Sequence, residues 1–175
     1  QLVQLHLKNN DWYVRTARRL LQERAATGQI DHTLVDQQLA KIAESHPDVT
    51  RRLRAIWTLH VIDRLTPDRL ERLVTDGTEY VRCWAIQLEL EDRAASTAMV
   101  DQLTTMADND SSPIVRLYLA AAMQRMPLQS RWPIATALVS HAADAGDHNL
   151  PLMYWYGIEP LVEQDPNRAL QLAAA

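Results

Sequence analysis

The chain has 175 residues, 47% of them hydrophobic, with only four glycines and a formal net charge of −4. Because no apolar run reaches the roughly 18 residues that a membrane-spanning helix needs, the composition favours a helical protein without a membrane span. The acidic balance argues against general binding to nucleic acid or anionic lipid, since phosphate recognition depends on a positive field. The balance is uneven, however: residues 1–88 carry 13 basic and 11 acidic side chains, and residues 89–175 carry 5 and 11.

Apolar residues recur with helical spacing along the first half of the chain and predict helices that pair into hairpins. Asp31 or Thr33 can cap one of these helices and Thr66 another, because their side chains accept from free backbone amides. The predicted helices cover residues 2–7 and about 12–25, then a helix ended by His46-Pro47 and its partner at about 48–62, then residues 67–74 and about 79–90.

The second half continues this pattern and then departs from it. A fourth hairpin covers about 99–106 and 113–123, and a fifth covers about 130–139 and 150–161. Gly157 and Pro160 lie inside the last of these runs and predict a kink or an early break, because proline lacks the amide donor that a helix interior needs. Residues 165–167 begin one more short helix, and the chain is expected to be a piece of a longer protein.

Four apolar-Arg pairs recur inside these helices, namely Val14-Arg15, Leu53-Arg54, Val81-Arg82 and Val115-Arg116. The intervals between them are 39, 28 and 34 residues, a spacing typical of repeated two-helix units. One such hairpin cannot bury its apolar faces alone, so neighbouring hairpins are expected to stack. The predicted fold is an all-α, right-handed α-α superhelix of about five hairpins, forming a single domain over residues 1–175.

The surroundings of these pairs resemble HEAT repeats, whose second helix begins with an acidic residue shortly before a Val-Arg pair and a following Ala. Residues 11–17 and 79–85 fit this pattern best, residues 110–122 fit well, and residues 48–59 fit loosely. The fifth hairpin departs from it. The resemblance implies a HEAT-like solenoid that acts as a scaffold or protein-interaction module, not as an enzyme.

A narrower resemblance covers residues 10–12, 15–21, 53–60 and 149–155. Together they look like the HEAT-repeat segment of large bacterial proteins that join a membrane-bound-dehydrogenase-like propeller to a c-type cytochrome. This resemblance implies an exported or periplasmic redox protein as the parent, with its other domains or a separate protein as the partner. The chain has no Cys-x-x-Cys-His motif, so no cofactor is expected here and any haem would lie elsewhere in the parent.

Arg15, Arg54, Arg82 and Arg116 admit two interpretations. The favoured one is a ladder in which each guanidinium ties its hairpin to an acidic group or a helix end of a neighbour, because the planar guanidinium suits forked hydrogen bonds. In the alternative, these side chains line a groove and bind an acidic partner segment.

Aromatic residues lie close to these arginines and in the atypical fifth hairpin. Core packing is the favoured role for them, because the chain contains no Phe. Anchoring a partner or ligand is the alternative. The candidate binding-surface residues are Trp12, Arg15, Arg54, Trp57, Arg82, Trp84, Arg116, Tyr154 and Trp155.

Other reactive groups give weaker signals. His141 and Asp144 lie one turn apart near Asp147 and His148, but this spacing is common at the end of a helix, and no metal site is predicted. Cys83, the only cysteine, is expected to be buried. A buried Glu159 near aromatic rings could act as an acid or base, yet no nucleophile accompanies it.

The leading hypothesis is therefore a non-catalytic scaffold. The first alternative is a DNA-repair glycosylase, since some enzymes that excise alkylated bases are built from HEAT-like repeats and use Trp, Arg and Asp in a basic groove. The second is a small-ligand site around Trp155, because irregular terminal units often carry function in repeat proteins.

Overall fold

The computed structural model describes residues 1–173, and within this part of the chain all regular secondary structure is helical, without strands. The all-α prediction is confirmed. No helix within residues 1–173 combines the length and the apolar character needed to cross a bilayer. The helices are α1 Asp11–Ala26, α2 His32–Ser45, α3 Val49–Val61, α4 Pro67–Leu73, α5 Glu79–Glu89, α6 Thr97–Asn109, α7 Pro113–Met123, α8 Leu128–Val139, α9 Leu150–Gln164 and α10 Pro166–Ala173, with 3₁₀ helices at Val3–Leu7 and Ala142–Gly146.

The chain divides into two compact units, Gln1–Leu70 and Glu71–Ala175. In the first unit, α3 packs against both α1 and α2, and the 3₁₀ helix Val3–Leu7 packs against all three. The apolar stripe of α1 follows the predicted spacing, since Val14, Ala17 and Leu21 are buried. Asp31, and not Thr33, caps α2: its side chain accepts from the backbone N–H of Leu34.

His6 fixes the 3₁₀ helix of the first unit from inside. Its imidazole is fully buried, with Nε2 2.7 Å from the Thr58 hydroxyl and Nδ1 3.2 Å from the Val3 carbonyl. Burial lowers the pKa of this ring to about 4, and the nearby charges of Arg18 and Arg54 act in the same direction. His6 is therefore neutral at physiological pH.

In the second unit the helices form two rows. α7 packs between α5 and α9, while α8 packs against α6 and α10 and also against α7 and α9. Leu119 and Met123 of α7 and Ile134 and Leu138 of α8 are buried between the rows. One row of this unit thus consists of α5, α7 and α9, and the other consists of α6, α8 and α10.

The predicted early break in α9 is wrong, because the helix continues from Leu150 to Gln164 through both Gly157 and Pro160. Proline inside a helix costs about 3 kcal/mol, so packing must offset it. Gly157 allows that packing: a Cβ atom there would lie 2.4 Å from Met123 Cε of α7. Close contact between α7 and α9 therefore overrides the local preference.

Candidate functional site

Four helices, α3, α5, α7 and α9, begin with the same local structure. The residue two positions before the N-cap accepts a hydrogen bond from the N-cap amide, as in Asp76 Oδ1 to Thr78 N at 2.8 Å and Asp110 Oδ1 to Ser112 N at 3.0 Å. In the same way, the His46 side chain accepts from the Asp48 amide before α3, and the Asp147 side chain accepts from the Asn149 amide before α9. Because the helices share this start, residues at the same distance from the N-cap occupy corresponding positions in the different helices.

Counted in that register, the fourth residue after the N-cap is an arginine in three helices: Arg52, Arg82 and Arg116. Arg82 donates from Nε and Nη2 to the two carboxylate oxygens of Asp110, at 2.7 and 2.9 Å. Its Nη1 donates to the Asp76 carbonyl at 2.7 Å. The guanidinium thus joins the start of its own helix to the loop before the next one.

Arg116 repeats this arrangement atom by atom. Its Nε and Nη2 each donate at 2.6 Å to Asp144, and its Nη1 donates at 2.8 Å to the Asp110 carbonyl. Each acid lies 28 residues after its arginine. The hydrogen bond from Arg116 lowers the pKa of Asp144, so this buried carboxyl stays ionised. The ladder prediction is confirmed for Arg82 and Arg116.

The ladder ends at α9, where Met153 occupies the arginine position. The next residue, Tyr154, donates its hydroxyl proton to Asp144 Oδ2 at 2.6 Å. Burial and the adjacent carboxylate both raise the pKa of Tyr154, so the hydroxyl stays protonated and keeps donating. Tyr154 therefore completes the polar network around Asp144. It is buried, and it is not a surface residue.

Arg54 lies two positions after the ladder register, but it is also buried and bonded within the first unit. Its Nη2 donates to Asp11 Oδ1 at 2.5 Å and its Nη1 donates to the Lys8 carbonyl at 2.9 Å. These bonds hold the start of α1 against α3. The prediction that Arg54 ties one hairpin to another is confirmed. The residue of α3 that corresponds in register to Arg82 is, however, Arg52.

Arg15 does not belong to the ladder, and that part of the prediction is wrong. Its side chain is 80% exposed and lies 3.8 Å from Asp11 of the same helix. The reason is register: Arg15 is the fifth residue after the N-cap Asn10, and the buried Val14 occupies the ladder position. One residue corresponds to a rotation of about 100° around the helix.

The expectation of core packing is wrong for Trp12 and Trp155, which are 65% and 49% exposed. Trp57 and Trp84 are half-buried, and the guanidinium of Arg18 lies 5.3 Å from the ring centre of Trp57. The fully buried tryptophan is Trp132, which the sequence pattern did not single out. Its indole Nε1 donates to Gln164 Oε1 of α9 at 3.1 Å, and the guanidinium of Arg168 in α10 lies 4.4 Å from its ring centre.

Two exposed helix faces remain. The α1 face consists of Trp12, Arg15 and Arg19, spaced so that all three lie on the side of α1 opposite its buried residues. The α9 face lies opposite the buried residues of α9. It consists of Leu152, Trp155, Tyr156, Glu159, Val162 and Glu163, all exposed.

A cleft of about 310 Å³ opens beside the α9 face. Its lining is mainly apolar and includes Val139, Pro151, Trp155 and Ile158. Tyr154 and Asp144 also border it, but their polar atoms are bonded to each other.

The remaining reactive groups are bonded within the fold, buried or exposed, and of these only Glu159 departs from its sequence hypothesis. Asp144 is bound by Arg116, and His141 Nε2 lies 2.7 Å from the Ala107 carbonyl, so this pair is used for structure. The described residues contain no cluster of three metal-ligating side chains. Cys83 is buried, as predicted, and burial raises its pKa to about 12. Glu159 is exposed, which contradicts a buried acid or base.

Comparison with known proteins gives no match to a protein-family model, a curated protein or a solved structure. The function of this chain is therefore inferred from its own residues.

Proposed function

We propose that this chain is a non-catalytic, HEAT-like scaffold that binds protein partners through the α1 face and the α9 face. In this proposal the hairpins stack into one superhelix, and the ladder holds successive repeats together. The partner is another domain of a larger exported redox protein or a separate protein. The resemblance to the HEAT-repeat segment of dehydrogenase-cytochrome proteins supports that choice of parent.

One observation carries the proposal: polar groups suited to chemistry are bonded inside the fold, while aromatic groups are left at the surface. Arg54, Arg82 and Arg116 hold carboxylates or carbonyls, and the Cys83 thiol is buried. By contrast, Trp12 and Trp155 expose about half of their surface or more. Exposed aromatic side chains are typical anchors of protein interfaces, because they bury large areas at little entropic cost.

Site-specific photo-cross-linking in the native host tests this function. A photoreactive residue would replace Trp12 in one variant and Trp155 in another, with exposed Thr105 of α6 as the matched control position. We expect defined cross-linked products from the two aromatic positions and none from position 105. Identical products from all three positions, or none at all, would contradict docking at these faces.

Binding of a small apolar ligand is a second candidate function, favoured by the cleft beside Trp155. Its volume of about 310 Å³ lies at the lower end of the range found for ligand sites. Saturable binding of a hydrophobic fluorescent dye, abolished by Trp155→Ala and retained in Trp12→Ala, would support this candidate. Equal binding by both variants would contradict it.

A DNA-repair glycosylase receives less support. The guanidinium groups of Arg54, Arg82 and Arg116 are bound within the protein and are not available to phosphates. A phosphate-reading groove must lose affinity steeply with added salt. Salt-dependent binding to duplex DNA would therefore revive this alternative.

A further inference from the structure

The α9 face is an unusual surface for a helix of a globular unit. Leu152, Trp155 and Tyr156 are each about half exposed, and Val162 continues their stripe. Contiguous apolar surface of this kind marks an interaction site more often than a solvated helix side. Two acidic residues, Glu159 and Glu163, lie within the same stripe, so the preferred occupant should supply both apolar surface and positive charge.

The α1 face supplies both apolar surface and positive charge, and its residues have the same spacing as residues of the α9 face. Trp12, Arg15 and Arg19 occupy positions i, i+3 and i+7 of α1. On α9, an aromatic residue and two glutamates occupy the same three positions, as Tyr156, Glu159 and Glu163. Residues at these intervals lie along one side of a helix, about 5 Å apart along its axis for each turn.

Two such helices laid side by side in parallel would bring matching groups together. Trp12 would face Tyr156, Arg15 would face Glu159 and Arg19 would face Glu163. Glu23, one turn further along α1, would lie beyond the end of α9 at Gln164. The pairing thus places both arginines of the α1 face opposite carboxylates of the α9 face.

The arginines of the α1 face are available for this contact. Arg15 lies 3.8 Å from Asp11, and Arg19 lies 3.6 Å from Glu23, both within α1 and both largely exposed to solvent. Exposed ion pairs of this length contribute little to stability, so exchanging them for partners on another helix costs little.

The charges of the two units favour the same encounter. The first unit carries 11 basic and 8 acidic residues, giving +3, and the second carries 7 and 14, giving −7. A positive unit of one molecule is therefore attracted to the negative unit of another, which raises the rate of association.

From these observations we infer that the occupant of the α9 face is a second copy of this chain, which binds through its α1 face. The inference rests on the proposed docking function and names its partner. Because the two surfaces differ, the contact is head-to-tail and each molecule keeps one free face of each kind for the next. The product is a filament, or a ring if the geometry closes.

Charge exchange tests this inference by sedimentation velocity across a concentration series. We expect the natural chain to assemble, and both Arg15→Glu/Arg19→Glu and Glu159→Arg/Glu163→Arg to associate about tenfold or more weakly. Mixing the two variants should restore assembly, and so should combining all four substitutions in one chain. Thermal unfolding of each variant should match the natural chain, since all four positions are exposed.

Two results would overturn the inference. One is a natural chain that stays monomeric at about 1 mM, where even a weak specific contact would be half formed. The other is unchanged assembly by the separate charge variants, or no recovery in their mixture. Cross-linking of positions 12 and 155 to a different protein by a monomeric chain would keep the docking function and reject self-assembly. The two proposals can therefore fail separately.

Discussion

Arg15 and Arg116 follow a valine in similar helical segments, yet they occupy opposite environments. The Arg116 side chain is 8% exposed and bridges Asp144 and the Asp110 carbonyl, whereas the Arg15 side chain is 80% exposed and lies 3.8 Å from Asp11 of its own helix. They differ by one position relative to the N-cap. The comparison teaches that helix register, set by capping, decides whether an arginine stabilises this fold or is free to bind a partner.

The largest expected effect comes from removing the buried arginine. Arg116→Ala leaves the Asp144 carboxylate buried without its guanidinium partner, although the Tyr154 hydroxyl still donates to it, and breaking a buried pair in this way costs about 3–5 kcal/mol. Arg15→Ala, the matched control, should change the free energy of unfolding by less than about 0.5 kcal/mol. Denaturant titration would measure both. Equal losses in the two variants would break the comparison.

A pH titration extends the comparison of buried and exposed side chains to the buried imidazole of His6. Its pKa is about 4 in the folded protein and 6.5 in the unfolded chain, so between these values the unfolded chain binds the proton first. Stability should therefore fall as pH is lowered from 6.5 to 4, by about 3 kcal/mol in total.

Chemical denaturation at a series of pH values would measure this slope. The control is His6→Gln, which should flatten the curve in that window. The carboxyl of Asp144 has a lowered pKa, so its contribution is lost only at lower pH, below the usual Asp range. A slope that persists unchanged in His6→Gln would assign the effect to another group.

Gly157→Ala tests the close contact between α7 and α9. The added Cβ would meet Met123 Cε at 2.4 Å and Met123 Cβ at 3.2 Å, and overpacking of this kind costs about 1–3 kcal/mol. Gly146 has open space around it, so Gly146→Ala should be nearly neutral. Thermal unfolding of the pair distinguishes steric conflict from a general intolerance of alanine.

The smallest of these effects is expected from Tyr154→Phe. This change removes one hydroxyl donor to Asp144 while Arg116 remains bound to both carboxylate oxygens. The loss should be about 1 kcal/mol, as for one hydrogen bond. The free energy of unfolding measures it. A loss as large as that of Arg116→Ala would mean that Tyr154, and not Arg116, holds the end of the ladder.

Helix positions were largely predictable, because apolar spacing and capping residues act locally. Asp31 is one of the two caps that the sequence offers for α2, and its side chain caps that helix. The break at Pro160 could not be judged locally, since Gly157 lets Met123 approach from another helix. Packing of this type, between helices that are distant in the sequence, cannot be predicted from the sequence around Pro160.

The ladder was foreseen, but its register and one of its acids were missed. Apolar-Arg pairs led to Arg54, whereas counting from the cap at Asp48 would have indicated Arg52. Asp144 was recognised only as a weak metal ligand, although it follows Arg116 by the same 28 residues that separate Arg82 and Asp110. The exposure of Trp12 and Trp155 depends on which neighbours each helix has, and apolar spacing alone does not give it.

Asp110 links both rungs of the ladder through different atoms. Its carboxylate accepts from Arg82 and from the Ser112 amide, while its carbonyl accepts from Arg116. Releasing this single residue would remove hydrogen bonds from two guanidinium groups at once. The amides at the starts of α5 and α7 should therefore exchange their protons for deuterium together, as one cooperative opening event and not as two independent ones.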